Sequence, residues 1–101
     1  MRFAAEELIG IWSKRLGIEA LGFPMQRMKT RWGSCNTVRR HIRLNTELVK
    51  KPKDLLEYVV LHELLHLKEP NHRKAFLALL DSYLPTWRGA RAELNELPLG
   101  T

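Results

Sequence analysis

The chain has only one cysteine, Cys35, among its 101 residues, so no internal disulfide bond can form. Small extracellular domains commonly depend on disulfides, which favours an intracellular protein here. The first residues, 1–7, contain two acids and no continuous apolar segment, so they do not resemble a secretory signal. We therefore predict a cytoplasmic location.

Long apolar runs are also missing. Hydrophobic residues make up 45% of the chain, but none of their runs approaches the ~18 residues that a membrane-spanning helix needs. Repeats and low-complexity segments are absent too, and a chain of this length predicts one small domain over residues 1–101. Its modest core makes a bound metal a plausible source of extra stability.

Acidic residues are scarce in the middle of the chain. Between residues 26 and 53, Glu47 is the one acid, and nine basic residues accompany it: Arg27, Lys29, Arg31, Arg39, Arg40, Arg43, Lys50, Lys51 and Lys53. Such a basic segment is compatible with nucleic-acid contact through residues 27–53. The alternative is a solvated face that aids solubility, because no DNA-reading motif accompanies the charge.

Hydrophobic periodicity predicts an amphipathic helix first. Five apolar residues recur at helical spacing over residues 2–16, and Gly17 ends the pattern: Phe3, Leu8, Ile11, Trp12 and Leu16. Residues 25–32 then indicate a strand, residues 33–36 a loop, and residues 40–44 a second strand antiparallel to the first.

Three more helices are predicted. One has Pro52 in its first turn, and one begins near Asn71 and stops before Pro85. The last covers residues 87–97 and leads into an extended tail. The predicted class is α+β, a small antiparallel β-sheet packed against three to four helices.

The histidines are concentrated in one place. Residues 62–72 hold three of the four histidines, and His62 and His66 project from the same helical face one turn apart. Both imidazoles could reach one zinc ion, with Glu63 acting on its bound water. Pro70 breaks the helix, and a turn there could return His72 as a third ligand. Three protein ligands plus water is typical of a catalytic zinc site, so the pattern indicates a metallopeptidase.

Chance matches to such a motif do occur, with the histidines on a helix surface and Glu63 a solvated charge. Here the surrounding helix is apolar on nearly every side, which predicts burial. Buried imidazoles need partners for their ring nitrogens, and a metal supplies one. For the third ligand, Glu69 is an alternative three residues after His66, and His41 a more distant one.

Several segments together resemble the YgjP-like metallopeptidase family. They run from about Met25 to the C-terminus and share that family's motifs: residues 28–35, 42–45, 56–66, Asn71-His72 with Phe76, 85–87, 93–95 and 97–100. The resemblance implies a zincin-like zinc-dependent peptidase, similar to soluble minigluzincins. It implies His62, His66 and His72 as ligands of Zn²⁺ and Glu63 as the general base. Family members are usually longer, with an N-terminal β-rich region that this chain lacks.

Residues around the motif have predicted roles as well. Strand 40–45 could pair with an extended substrate along its edge, and Tyr58 could support a ligand from one turn away, although core packing is the simpler interpretation. We expect core positions for the three tryptophans and a buried thiol at Cys35. The apolar tail 97–101 resembles a substrate, and we hypothesise that it keeps the enzyme latent.

Three functions follow from these observations. The leading one is a zinc metalloendopeptidase that acts on protein or peptide substrates. The second is a nucleic-acid-associated metal-binding module that docks to or acts on nucleoprotein. The third is a metal-stabilised interaction domain without turnover, against which the base at Glu63 argues because a structural site needs none.

Overall fold

A computed structural model of the chain describes residues 2–19, 22, 24–29, 31–69 and 74–96, without the side chains of residues 2–4 and 49. In chain order its elements are α1 (Arg2–Leu16), β1 (Met25–Gln26), β2 (Gly33–Asn36), β3 (His41–Asn45), a 3₁₀ helix (Thr46–Lys50), α2 (Lys53–His66), α3 (Lys74–Tyr83) and α4 (Trp87–Glu96). The α+β class predicted from the sequence is confirmed.

The three strands form a mixed sheet in the order β1-β3-β2. β2 runs antiparallel to β3, with Cys35 opposite Ile42, whereas β1 runs parallel to β3, with Met25 opposite Leu44. The predicted antiparallel pairing of a first strand with β3 is therefore wrong for β1. It holds instead for β2, a segment that the sequence indicated as a loop.

Asn45 explains why the predicted strand over residues 25–32 ends at Gln26. Its side chain is fully buried and donates from Nδ2 to the carbonyl oxygens of Met28 (2.9 Å) and Arg31 (2.7 Å). These bonds hold the backbone between β1 and β2 in a loop. Oδ1 of Asn45 also accepts from the amide of Glu47 at 2.9 Å, which caps the 3₁₀ helix.

The turn between β2 and β3 is set by Asn36 and Arg40. Oδ1 of Asn36 accepts from the amides of Val38 and Arg39, both at 3.1 Å, in the manner of an Asx turn. Arg40 adopts a left-handed φ of 56°. It therefore belongs to the turn, and β3 starts one residue later than predicted.

Helix α1 has the predicted bounds and ends in a Schellman motif. The amide of Gly17, at φ 67°, bonds to the carbonyl of Lys14, and the amide of Ile18 bonds to that of Ser13. Its buried face consists of Ala5, Leu8, Ile9, Trp12 and Leu16. Ile11 was predicted to lie on that face but is 43% exposed. Ile9, which is 4% exposed, occupies the buried face in its place.

Helix α2 is the centre of the fold, and the other helices and the sheet pack around it. Nine of its fourteen residues are buried, and burying each large aliphatic side chain contributes roughly 1.5–3 kcal/mol. Trp12 Nε1 of α1 donates to Glu57 Oε2 of α2 at 2.9 Å. This packing fixes the rotation of α2 and hence the direction in which its polar residues point.

Helix α2 ends at His66, four residues before the Pro70 that was predicted to break it. The amides of Lys68 and Glu69 both bond to the carbonyl of Leu65 in a closing turn. Downstream, the predicted start of α3 near Asn71 lies outside the described residues. α3 ends at Tyr83, ahead of Pro85, as expected. α4 begins at Trp87, and of the described helices it is the last.

Candidate active site

His62, Glu63 and His66 lie together on the side of α2 that faces β2 and α3. Leu61 precedes His62, and Leu64 and Leu65 lie between Glu63 and His66. All three leucines are fully buried. Because those leucines fix the helix against the core, the two imidazoles are held at one place, partly buried, and Glu63 is only 7% exposed.

The two imidazoles converge on one point. Nε2 of His62 and Nε2 of His66 are 3.3 Å apart. Two nitrogens bound to one tetrahedral zinc ion at their usual bond lengths lie roughly 3.3 Å apart as well. A hydrogen bond between a neutral pair would give a similar distance, but the imidazole donors and their separation fit a metal such as zinc.

Phe76 of α3 forms a wall beside both rings. Its ring centroid lies 5.2 Å from that of His62 and 4.8 Å from that of His66, and the side chain is 1% exposed. An apolar wall of this kind limits the rotation of the imidazoles and excludes water from one side of the site.

Tyr58 contacts the other nitrogen of His62. Its hydroxyl lies 3.3 Å from His62 Nδ1, and its ring stacks on Trp87 with centroids 6.4 Å apart and planes inclined by 11°. Tyr58 is therefore a core residue, as expected, and also the hydrogen-bonding partner of His62. Its hydroxyl leaves Nε2 of His62 as the nitrogen available to a metal.

Burial raises the pKa of Glu63 to about 7, and the positive charge of Arg31 partly opposes that rise. A carboxyl group with a pKa near neutrality exchanges protons readily in both directions, as a general base and acid must. Glu63 thus has the electrostatic environment of a proton-transfer group.

Gly33 allows β2 to approach Glu63 closely. A Cβ atom at this position would lie 2.9 Å from Val59 Cγ1 and 3.0 Å from Glu63 Cγ, closer than carbon atoms normally pack. A side chain here would push the strand away from α2. The glycine is therefore a packing requirement of the site rather than a loop signal.

Two cavities open on either side of Glu63. One, of about 360 Å³, extends along β2 to Cys35 and His66; the other, of about 240 Å³, extends toward α4. Both are lined by Arg31, Gly33, His62 and Glu63. The site therefore lies at the middle of a continuous cleft.

The strand that borders this cleft is β2. Among the described residues, one edge of β2 is not paired with another strand. β3 lies between β1 and β2, so the prediction that strand 40–45 offers an edge to substrate is wrong. The sequence missed β2 because three of its four residues, Gly33, Ser34 and Asn36, are of types typical of loops.

A family model described as "YgjP-like, metallopeptidase domain" matches residues 2–97. The chain belongs to the YgjP-like metallopeptidase family. The match includes α1, so it begins well before Met25, where the sequence resemblance began. As a member of a metallopeptidase family, the protein is a peptidase that uses a metal and acts on protein or peptide substrates.

Known proteins similar to this YgjP-like chain include one of comparable length. The uncharacterized protein aq_aa15 of Aquifex aeolicus (strain VF5) is 33% identical to it. The alignment covers 88% of this chain and 93% of that protein. Because the match covers nearly all of aq_aa15, that protein has no room for the long N-terminal region that was expected to be usual for the family.

Two solved structures share the fold. The metallopeptidase zymogen of Pyrococcus abyssi abylysin superposes with a TM-score of 0.80 at 18% identity, covering 89% of this chain and 90% of that one. The metallopeptidase zymogen of Methanocaldococcus jannaschii jannalysin superposes with a TM-score of 0.79 at 24% identity, covering 91% of this chain and 94% of that one. The zincin-like architecture predicted for the chain is confirmed.

The predicted third ligand of this YgjP-like site, His72, is outside the described residues. Within the described ranges, no group of three His, Cys, Asp or Glu side chains is gathered as a metal site. Glu69 lies three residues beyond the end of α2, and neither Glu69 nor His41 lines the cavities beside Glu63.

His41 and Cys35 have other surroundings. His41 packs its ring over Gly22 and lines a separate cavity with Arg39 and Arg43. Cys35 is partly buried, and burial, together with the charge of Glu63, raises the pKa of its thiol to about 11. It is therefore a neutral thiol near pH 7. The predicted full burial is not found, because Cys35 lines the cavity beside Glu63 and His66.

The tryptophans divide into two kinds. Trp12 and Trp87 are core residues, with exposed fractions of 2% and 3%, as predicted. Trp32 packs partly against the core and also lines the cavity toward α4. Two arginines of that cavity, Arg31 and Arg91, were missed as site residues. Arg31 lies in segment 28–35, which indicated the family but no role for this side chain, and Arg91 lies in no motif.

The basic residues between 27 and 53 have several different environments. Arg31 lies at the cleft, Lys50 pairs with Glu47 at 3.6 Å, and Lys51 lies 6.0 Å from the Trp32 ring. The comparisons point to peptidases and give the nucleic-acid prediction no support. In the described part of the chain, no helix is both long and apolar enough to cross a membrane.

Proposed function

We propose that the chain is a single-domain zinc metalloendopeptidase of the HExxH type, with His62 and His66 as metal ligands, His72 as the third, and Glu63 as the general base. The observation that carries the proposal is the convergence of the two Nε2 atoms, 3.3 Å apart, beside a buried carboxyl group in a cleft. The single cysteine favours a cytoplasmic setting for the enzyme.

Zinc, when bound, supplies an acidified water and a Lewis acid for the scissile carbonyl. Glu63 would accept a proton from the attacking water and return it to the leaving amine. Tyr58 orients His62, and Phe76 keeps the two imidazoles in place.

The edge of β2 offers a place for the substrate backbone. Its residues Ser34 and Cys35 line the same cavity as His66 and Glu63, so a peptide added to this edge would pass over the site. Main-chain pairing of this kind is largely independent of side-chain identity. It suits an endopeptidase that acts on extended or unfolded segments.

Removal of the metal tests this proposal. We expect the wild-type protein to cleave unfolded casein, to lose that activity with 1,10-phenanthroline, and to regain it when zinc is added back. Activity that survives complete removal of the metal would contradict a metal-dependent reaction. Restoration by another divalent ion, with no restoration by zinc, would contradict zinc as the cofactor.

The tail 97–101 is proposed to hold the enzyme in a latent state. It lies outside the described residues, but the chain enters it directly after α4, whose Leu94 and Asn95 line the cavity next to Glu63. Abylysin and jannalysin were both solved as zymogens. A tail that starts at the rim of the cleft is close enough to occupy it.

A further inference from the structure

The cavity between β2 and α4 carries two arginines beside the proposed base. Arg31 lines it from the loop before β2, and Arg91 lines it from α4, with Trp32 and Leu94 as apolar neighbours. Its volume of about 240 Å³ suits one side chain better than a whole peptide. Its shape and position are those of a pocket for a residue near the scissile bond.

Arg91 is an exposed residue at the border of the buried face of α4. Trp87 and Leu94, at 3% exposure each, are the buried anchors of α4, and Arg91 follows Trp87 by four residues and precedes Leu94 by three. These spacings place all three on one helical face. Because the anchors fix the rotation of α4 against α2, Arg91 is held over the cavity.

The charges of both arginines act on the site. Both guanidinium groups line the same cavity as Glu63 and Tyr58, so their positive charges lie beside these side chains. Among the described residues, neither guanidinium forms an ion pair. Arg88, one turn away from Arg91, does form one, with Asp81.

We propose that this cavity binds a carboxylate of the peptide substrate, with Arg91 as the main cation and Arg31 as the second. The proposal rests on the proposed peptidase function and names its substrate class. The planar fork of N–H donors in arginine matches the two oxygens of a carboxylate. Two guanidinium groups outweigh the single negative charge of Glu63, so the pocket favours an anion.

The carboxylate has two sources, an Asp or Glu side chain near the scissile bond or the free C-terminus of a short peptide. A set of fluorogenic alanine octapeptides separates them. One Glu is placed at each position in turn, with Gln in the matched partner, and a further pair differs only in a free or amidated C-terminus. We expect about tenfold higher kcat/KM for the Glu peptide at one position.

Arg91 is a cleaner test than Arg31, since loss of Arg31 also alters the pKa of Glu63. We expect Arg91→Ala to remove the preference for Glu over Gln and Arg91→Glu to invert it, so that the Gln peptide is cleaved faster. Arg27→Ala is the matched control, because Arg27 is exposed like Arg91 but does not line the cavity. An unchanged preference in both Arg91 variants would overturn the proposal.

A binding measurement decides the matter independently of turnover. Titration of Glu63→Gln protein with the best Glu peptide and its Gln partner, at 50 and 300 mM salt, should show tighter binding of the Glu peptide, weakened by salt. Equal affinity for both peptides would overturn the proposed pocket. Absence of cleavage by both the wild-type protein and the variant without residues 96–101, with this binding preference intact, would instead contradict the peptidase function alone.

Discussion

His62 is held from both sides of its ring. Tyr58 contacts Nδ1 at 3.3 Å, and Nε2 faces His66 at 3.3 Å. A histidine ligand normally depends on such a partner for the direction and basicity of its ring. The sequence could predict His62, Glu63 and His66 from their spacing. The sequence offered core packing and support of a ligand as alternative roles for Tyr58. In the structure Tyr58 has both, since its ring is buried and its hydroxyl contacts His62.

Substitution of Tyr58 by Phe removes that hydroxyl and leaves the ring. We expect zinc affinity to fall by about tenfold, because the imidazole loses its fixed orientation, with a loss of about 1 kcal/mol in the free energy of unfolding. Zinc affinity is measured by competition with a fluorescent chelator. Tyr83→Phe is the control, since Tyr83 packs edge-on against Trp12 away from the site. Equal zinc affinity in both variants would exclude a positioning role for Tyr58.

The elements of the fold were predicted with uneven success, and the reasons are physical. α1 could be predicted to the residue because a periodic apolar stripe and a terminal glycine agree. β2 could not, because its Gly33 is required by close contact with α2, which no local pattern records. β1 was predicted too long, because the hydrogen bonds from Asn45 to the Met28 and Arg31 carbonyls join residues distant in sequence.

Gly33 tests the contact between β2 and α2. We expect Gly33→Ala to lower the free energy of unfolding by about 1–3 kcal/mol, since its Cβ would collide with Val59 and Glu63. We also expect it to lower peptidase activity through displacement of Glu63. The two effects are measured by denaturant unfolding and by casein cleavage.

Gly10→Ala is the control for that substitution. Gly10 lies inside α1 with no atom within 4 Å of an added Cβ, and the change should stabilise the helix by about 0.5–1 kcal/mol without affecting activity. If Gly33→Ala were as stable and active as the Gly10 variant, the close approach of β2 to α2 would not be a requirement of the site.

The molecule as a whole brings its proposed machinery onto one long, buried helix and covers it with short elements. α2 supplies His62, Glu63, His66 and Tyr58, while β2 and α4 supply the two walls of the cleft. The sequence indicated this helix and its chemistry. It gave no indication of the arginine-lined cavity, which exists only when β2 and α4 meet across α2.

The proposed latency depends on how distant parts of the chain are arranged, because the end of α4 lies next to the cleft. Deletion of residues 96–101 should raise the rate of casein cleavage, while the melting temperature of the truncated protein stays close to that of the wild type. The matched control replaces residues 97–101 by an equally long Gly/Ser segment. An unchanged or lower rate, with the fold intact, would assign the tail a packing role.

The most direct test of the account is to count zinc and measure turnover together in the wild type and in Glu63→Gln. The account predicts one zinc ion per chain in both proteins, with cleavage of casein by the wild type and at least about a hundredfold slower cleavage by the variant. Glu93→Gln, an exposed site on α4, should behave like the wild type. Retained turnover in zinc-loaded Glu63→Gln, or no zinc bound by the wild type, would contradict it.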